Sequence, residues 1–338
     1  MDKIVRVGII GGGRIGRVHA INLTGRVGGV HVRALADPCA DDELESWAAE
    51  RSIARVIRDY REVLDDSEID AVLICSPTDT HASITREAAE AGKHIFCEKP
   101  LDQDPEVIRR TLKLVEKVGV VFQIGFNRRF DHNFMALRRA VEDGSVGDVH
   151  IVRITSRDPE PPPAEYVRVS GGLFMDMAIH DFDMARFLTG SEVTKVHAAG
   201  AVLVDPAIGR EGDIDTAVTT LWFENGAIGV IDNSRRAAYG YDQRAEVFGS
   251  NGAAASANDP PSTVTISDAR SVRGEKPLHF FLERYAESFA EEMRSFVRAV
   301  TDGAAVPVGG QDALKSVLIA AAATESLRAG APVEVAKD

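Results

Sequence analysis

The chain is 338 residues long, with 44% hydrophobic residues, 27% charged residues and a formal charge of −13. Length and composition suit about two globular domains with real cores. The acidic excess argues against nucleic acid or an anionic membrane as partner, and no apolar run is long enough to cross a bilayer. The stretch Ile4–Ile10 carries Arg6 and runs straight into Gly11-Gly12-Gly13, as a strand does and a secretory leader does not. Cys39, Cys75 and Cys97 stand singly, without C-x-x-C spacing. They read as buried, reduced thiols of a cytoplasmic protein rather than a disulfide or zinc site.

From the N-terminus to about residue 125, short apolar runs alternate with helical patterns, the rhythm of a parallel sheet with crossover helices. Strands are expected at Ile4–Ile10, Val30–Ala36, Ala71–Cys75, His94–Cys97 and Val120–Ile124. Helices are expected at Ile15–Leu23, Asp42–Glu50, Tyr60–Leu64, His81–Ala91 and Pro105–Val118. Gly92 suits a left-handed helix end. The rhythm then changes. A helix Phe134–Glu142, a strand Val149–Ser156, a short stiff loop at Pro159–Pro163 and a helical segment Gly171–Leu188 come next. Lys195–Leu203, Thr216–Phe223, Ala227–Ser234 and Arg244–Phe248 alternate as antiparallel strands do, and Phe281–Val300 and Asp312–Arg328 close the chain as amphipathic helices. The division expected is a Rossmann-type α/β dinucleotide-binding domain over 1–125. An α+β domain on a large, mostly antiparallel sheet follows over 126–338, with the site where the two meet.

Gly11-Gly12-Gly13-Arg14-Ile15-Gly16 fits G-x-G-x-x-G, after a strand and at the start of a helix. Gly11 allows the tight turn, Gly13 the approach of a pyrophosphate, and Gly16 close helix–strand packing. Asp37, ending the second strand, can accept from the adenosine ribose. The acidic run Asp41-Asp42-Glu43 after it would repel a 2′-phosphate, which favours NAD over NADP. Asp37 merely opening a turn before Pro38 is the plainer alternative. Ser76-Pro77-Thr78-Asp79-Thr80-His81 lies past the third strand, at the carboxyl edge where such sheets bind ligands. Its hydroxyls can cap the next helix, line the nicotinamide side, or do both.

Lys99, in Glu98-Lys99-Pro100, also falls at that edge. Spacing alone leaves it between a solvated charge and a hydrogen-bond donor to the reacting oxygen, and its bond to Pro100 is expected to be cis. Over Phe174–Leu188 the residues Phe174, Met177, Phe182 and Leu188 form a packed side. Asp176, His180 and Asp183 share another face at i, i+4 and i+7, as an oriented general base would require. A solvated polar stripe is the bland alternative. A metal site lacks further ligands at suitable spacing, so none is expected.

These motifs, with Ile154-Thr155-Ser156-Arg157-Asp158-Pro159, Asp181–Arg186, Tyr239-Gly240-Tyr241-Asp242-Gln243 and Phe280–Tyr285, resemble the glucose–fructose oxidoreductase/inositol dehydrogenase family over nearly the whole chain. The inositol 2-dehydrogenase branch is the nearest likeness. The resemblance implies NAD-dependent oxidation of a cyclic polyol, myo-inositol going to its 2-keto product. Its catalytic trio is Lys99, Asp176 and His180. The cofactor set is then Gly11, Gly13, Arg14, Ile15, Asp37, Ser76, Thr78, His81, Glu98 and Lys99. Arg128, Asp158, Asp183 and Tyr241 approach the polyol beside the trio. Some family members carry histidine and asparagine where this chain has Ser156 and Asp158, which leaves the stereoisomer open. Another cyclic polyol or an aldose, or a non-catalytic NAD sensor, are the rival readings. A homotetramer packed through the exposed face of the second sheet is also implied.

Overall fold

The computed structural model describes residues 4–337. The chain forms two compact units: one runs through Phe130 and takes in Glu287–Leu314, the other holds Asp131–Ala286 with Lys315 onward.

In the first unit the elements are β1 (Val5–Ile10), α1 (Arg14–Gly25), β2 (Val30–Ala36), α2 (Asp42–Ala49), β3 (Val56–Ile57), α3 (Arg61–Asp65), β4 (Ala71–Ile74), α4 (Thr78–Glu90), β5 (His94–Glu98), α5 (Pro105–Val118) and β6 (Phe122–Gly125). A 3₁₀ turn, Asn127–Phe130, follows. The strands are all parallel, in the order β3-β2-β1-β4-β5-β6. This is the doubly wound Rossmann order, and it reverses between β1 and β4. Strands buried on both faces must be apolar throughout, and β4 (Ala71–Ile74) is buried at every position. Asp41 and Asp104 cap α2 and α5 through the backbone N–H groups of Leu44 and Glu106, each cap worth about 1 kcal/mol. The two-residue β3 carries too little pattern to be seen in the sequence.

The second unit holds α6 (His132–Glu142), β7 (Val149–Arg157), α7 (Ala164–Ser170), a π-helical turn Phe174–Ala178, α8 (Ile179–Thr189), β8 (Val193–Ala201), α9 (Pro206–Arg210), β9 (Thr216–Phe223), β10 (Ile228–Ser234), β11 (Asp242–Gly249), β12 (Ala253–Ala255) and the small pair β13 (Ile266–Ser267) and β14 (Val272–Arg273). Then come α10 (Phe281–Arg284), α11 (Ala286–Asp302), which from Glu287 belongs to the first unit, α12 (Gly310–Ala329), which passes to the second unit after Leu314, and β15 (Val333–Glu334). One helix was expected over Phe281–Val300, but the chain breaks at Tyr285. Beyond the break α11 puts Met293, Phe296, Val297 and Val300 into the core of the first unit, beside Val7, Ile9 and Phe96.

The large sheet runs β12-β11-β7-β10-β9-β8-β15, antiparallel except for the β7–β10 pair. In β9, Ala217, Thr219, Leu221 and Phe223 point into the core, while Val218 between them is 49% exposed. Ile228 and Phe248 share that open face. The β7–β10 pair is the one that positions the site. Parallel pairing carries both strands to the same edge, so Asp158 after β7 and Arg235 after β10 emerge side by side.

Candidate active site

At the reversal point of the first sheet, β1 ends and the chain turns through Gly11, at φ +108°. A Cβ there would lie 2.5 Å from the Cys75 carbonyl at the end of β4, and one on Gly16 would lie 1.9 Å from the Gly11 oxygen. Both positions are closed to side chains. Gly13 is the opposite case, with nothing within 4 Å of where its Cβ would stand. It is also the N-cap of α1, and no side chain caps that helix. The turn therefore offers backbone N–H donors and a positive helix end to open space, which fits a dinucleotide pyrophosphate. Arg14 is exposed at the first helical position and Ile15 packs on the core.

Asp37 accepts from the Gly12 N–H at 2.7 Å and the Cys39 N–H at 2.8 Å. It thus ties the glycine turn to β2 and still has lone pairs for sugar hydroxyls. Of its acidic neighbours, Asp41 is a helix cap and Glu43 pairs with Arg17 at 3.0 Å. Arg58 reaches in from 18 residues along to the Ala40 carbonyl at 3.0 Å, a cation that local sequence gave no sign of. Cys39 is exposed, contrary to the expectation of three buried thiols, because it sits on this open turn. Cys75 and Cys97 are buried, and burial pushes both thiols well up, leaving them unreactive.

The Ser76–His81 segment does not cap α4 with a hydroxyl. The cap is Pro77, Thr78 opens the helix, and the Ser76 Oγ and Thr80 Oγ1 lie 2.6 Å apart. His81 is buried, with one ring nitrogen 2.8 Å from the Pro100 carbonyl and the other 2.8 Å from that of Ser76. Its imidazole therefore links the turn after β4 to the turn after β5. The Lys99–Pro100 peptide in that second turn is cis, as expected, and Lys99 is half-buried. The Glu98 carboxylate turns inward, 2.8 Å from His19 Nε2. Arg128 is buried in the 3₁₀ turn after β6, which the Arg129–Asp312 pair at 2.7 Å holds in place.

In the second unit, Gly171 and Gly172 are both left-handed, at φ +84° and +83°, and end α7. The Leu173 N–H then goes to Asp213, and the chain enters the π turn that contains Asp176. This differs from the single α-helix expected. An i→i+5 turn takes in one extra residue, so positions four apart no longer stack as in an α-helix; such turns recur at functional sites. Phe174, Met177, Phe182 and Leu188 are all buried, as the pattern required. Asp176 accepts from the Tyr166 hydroxyl at 2.9 Å and from Arg235 Nη1 at 3.1 Å. His180 follows as the second residue of α8, half-buried.

The remaining residues expected beside the polyol are held by partners within the second unit. Asp183, 1% exposed, lies 3.7 Å from Arg186, which pairs with Glu192, itself 3.1 Å from Lys315. Asp181 is buried and accepts from Asn233 Nδ2 at 2.8 Å. Ser156 is fully buried and donates to Gln243 at 3.2 Å. Asp158 lies 3.8 Å from Arg235. Tyr241 is buried edge-on against Tyr285, ring centroids 6.0 Å apart. Tyr166, Arg235, Asn233 and Arg186 were not singled out from the sequence. Tyr166 and Arg235 touch Asp176 from other elements, where nothing local marks them; Asn233 touches Asp181 from β10, and Arg186 touches Asp183 from the same helix, three residues on. Among the described residues no group of three metal-ligating side chains is placed to hold an ion, and no helix is long and apolar enough to span a membrane.

Residues 5–126 match the oxidoreductase family's NAD-binding Rossmann fold, and residues 134–255 match the GFO/IDH/MocA C-terminal domain. An uncharacterized oxidoreductase of Bacillus subtilis is 52% identical, over 99% of this chain and 98% of its own. The myo-inositol 2-dehydrogenase of Thermotoga maritima is 48% identical, over 96% of each chain. A crystal structure of scyllo-inositol dehydrogenase from Lactobacillus casei, with bound NAD(H) and scyllo-inositol, superposes with a TM-score of 0.92 at 31% identity, over 99% of this chain and 100% of that one. With both halves of the chain matched and the glycine cradle intact, the protein belongs to the GFO/IDH/MocA family of NAD-binding oxidoreductases.

Proposed function

We propose that the protein is an NAD-dependent inositol 2-dehydrogenase, oxidising myo-inositol to 2-keto-myo-inositol (scyllo-inosose). One observation carries this reading: a relative named for that activity matches both units end to end at 48% identity. NAD⁺ held in the glycine cradle supplies the acceptor for hydride at nicotinamide C4. The chain's own residues do the rest. His180 takes the proton of the ring hydroxyl, and Asp176 stabilises the resulting imidazolium. Lys99 donates a hydrogen bond to the oxygen as its charge grows. Arg128, Asp158, Asp183 and Tyr241 hold the other hydroxyls. Asp37 favours NAD⁺ over NADP⁺ by charge. The enzyme is cytoplasmic and tetrameric in this reading, packed through the open face that exposes Val218, Ile228 and Phe248.

A second reading, preference for scyllo-inositol, is favoured by the similarity to proteins named for that activity, from Lactobacillus casei and, at 37% identity, from Bacillus subtilis. Initial rates with NAD⁺ and NADP⁺ over a panel of inositols and aldoses decide between them. Myo-inositol with NAD⁺ should give the highest kcat/KM. A tenfold preference for scyllo-inositol would replace the substrate, and no turnover with any polyol or aldose would leave a non-catalytic sensor. In the same assay His180→Ala should lose about 10²- to 10⁴-fold in turnover while binding NAD⁺ normally.

A further inference from the structure

Arg235 is 2% exposed and follows β10, with its own N–H on the Asp215 carbonyl at 2.8 Å. Its Nη1 donates to Asp176 at 3.1 Å and stands 3.8 Å from Asp158. Among the described residues, its buried Nε and Nη2 meet no hydrogen-bond acceptor. A buried cation with so few hydrogen bonds is costly, and it persists only where the charges it faces need it. Those charges are the two carboxylates to which the family resemblance gives roles in chemistry and in substrate binding.

We propose that Arg235 is a positioning residue of the reaction: it fixes Asp176, couples it to Asp158, and offsets the negative charge that His180 feels. This rests on the reading of His180 as the base and deepens it. Asp176 is held from two sides, by Tyr166 from α7 and Arg235 from the strand edge, so its carboxylate has little freedom to rotate. Among the described residues of this unit, Asp213 takes the Leu173 N–H and Asp181 takes Asn233. Asp183 faces Arg186, and the Asp215 carboxylate takes the N–H groups of Leu203, Val204 and Asp205. Arg235 is thus a cation that bears on how strongly Asp176 favours a protonated imidazole. Without it the imidazolium is favoured further, and the base is free only at higher pH.

The test is the pH dependence of kcat/KM for myo-inositol oxidation, with the His180 ring titrated by NMR in the cofactor-free protein. In Arg235→Met the acid limb and the ring titration should both move up by about one pH unit, with kcat down about 10- to 100-fold. Arg235→Lys, which keeps the charge, should restore most of kcat and return the limb to the wild-type position. A folded Met variant with limb and kcat unmoved would overturn the proposal. So would one in which only KM rises, since that is the mark of a substrate contact. If the Met variant does not fold, the Lys variant decides: full loss of kcat there refutes the charge argument, and recovery supports it. Should no inositol be oxidised, the functional reading has failed, yet the ring titration still reports whether Arg235 governs His180.

Discussion

The first unit's candidate groups are backbone: a turn with two positions closed to side chains, an uncapped helix end, and two strand-end loops joined through His81. The second unit's groups are carboxylates, each held by a cation or amide: Asp176 by Arg235 and Asp181 by Asn233 from another element, Asp183 by Arg186 one turn along the same helix. The contrast follows from what each side must recognise. A pyrophosphate is bound by N–H dipoles that need only correct φ and ψ. A neutral polyol and a transferable proton call for side chains of set charge and rotamer. Damage should therefore differ in kind. Changes in the first unit should affect binding and folding together, and changes in the second should affect turnover while the fold survives.

Asp176→Asn sharpens that contrast most. The amide keeps the shape but loses the charge, so it supports the imidazolium poorly and offers Arg235 a weaker partner. Turnover should fall by about 10²- to 10⁴-fold, with NAD⁺ affinity and the thermal midpoint near wild type. Near-normal turnover in this variant would remove Asp176 from the chemistry.

The glycine turn supplies a paired test. Gly16→Ala drives a methyl into the Gly11 carbonyl, where neither backbone segment can yield cheaply. It should cost about 1–3 kcal/mol of stability and weaken NAD⁺ binding with it. Gly13→Ala has room for its methyl, so its thermal midpoint should hold while the dissociation constant for NAD⁺ rises. Equal effects of the two variants on both measurements would break the distinction between closed and open glycine positions.

Cofactor choice is a smaller effect. Asp37→Ser removes the charge that repels a 2′-phosphate and leaves Arg58 nearby at the Ala40 carbonyl. The kcat/KM ratio of NAD⁺ to NADP⁺ should fall about tenfold. Because Asp37 also receives the Gly12 N–H, NAD⁺ binding itself should weaken. An unchanged ratio would show that Asp37 serves the turn alone.

The same contrast explains what could be read in advance. Gly11, Gly13, Gly16 and Asp37 belong to a contiguous pattern set by strand, turn and helix, and the strand order follows from βαβ rhythm. Asp176 and His180 were visible as residue types, but the π turn under Asp176 was not, since one extra residue in a turn leaves no mark on residue type. Arg235 was invisible for a different reason. It becomes meaningful only once β7 and β10 pair in parallel, 77 residues apart along the chain at Ser156 and Asn233. Local pattern carries backbone sites well, and long-range pairing of charges poorly.

The least perturbing test lies in the buried acids, where the two units differ once more. Glu292 on α11 is fully buried in the first unit, and among the described residues neither of its oxygens has a hydrogen-bond partner. Burial, and then the nearby Glu98, push its carboxyl well above the usual range. A carboxylic acid whose folded value lies above its unfolded value, about 4.3, binds more protons folded than unfolded. Its contribution is therefore full below that pH and is lost as pH rises toward the folded value. Asp215 in the second unit runs the other way. Burial raises it, but the N–H groups of Leu203, Asp205 and Val204 outweigh burial and hold it below the usual range. Its contribution is present above the unfolded value and lost as pH falls. Glu292→Gln should accordingly raise the thermal midpoint, with the gain over wild type larger at pH 8 than at pH 5. Asp215→Asn should lower it, with the loss larger at pH 7 than at pH 3. A Glu292→Gln gain that does not grow with pH would mean that this buried carboxyl is satisfied in solution, and the first unit would then hold its acids as the second does.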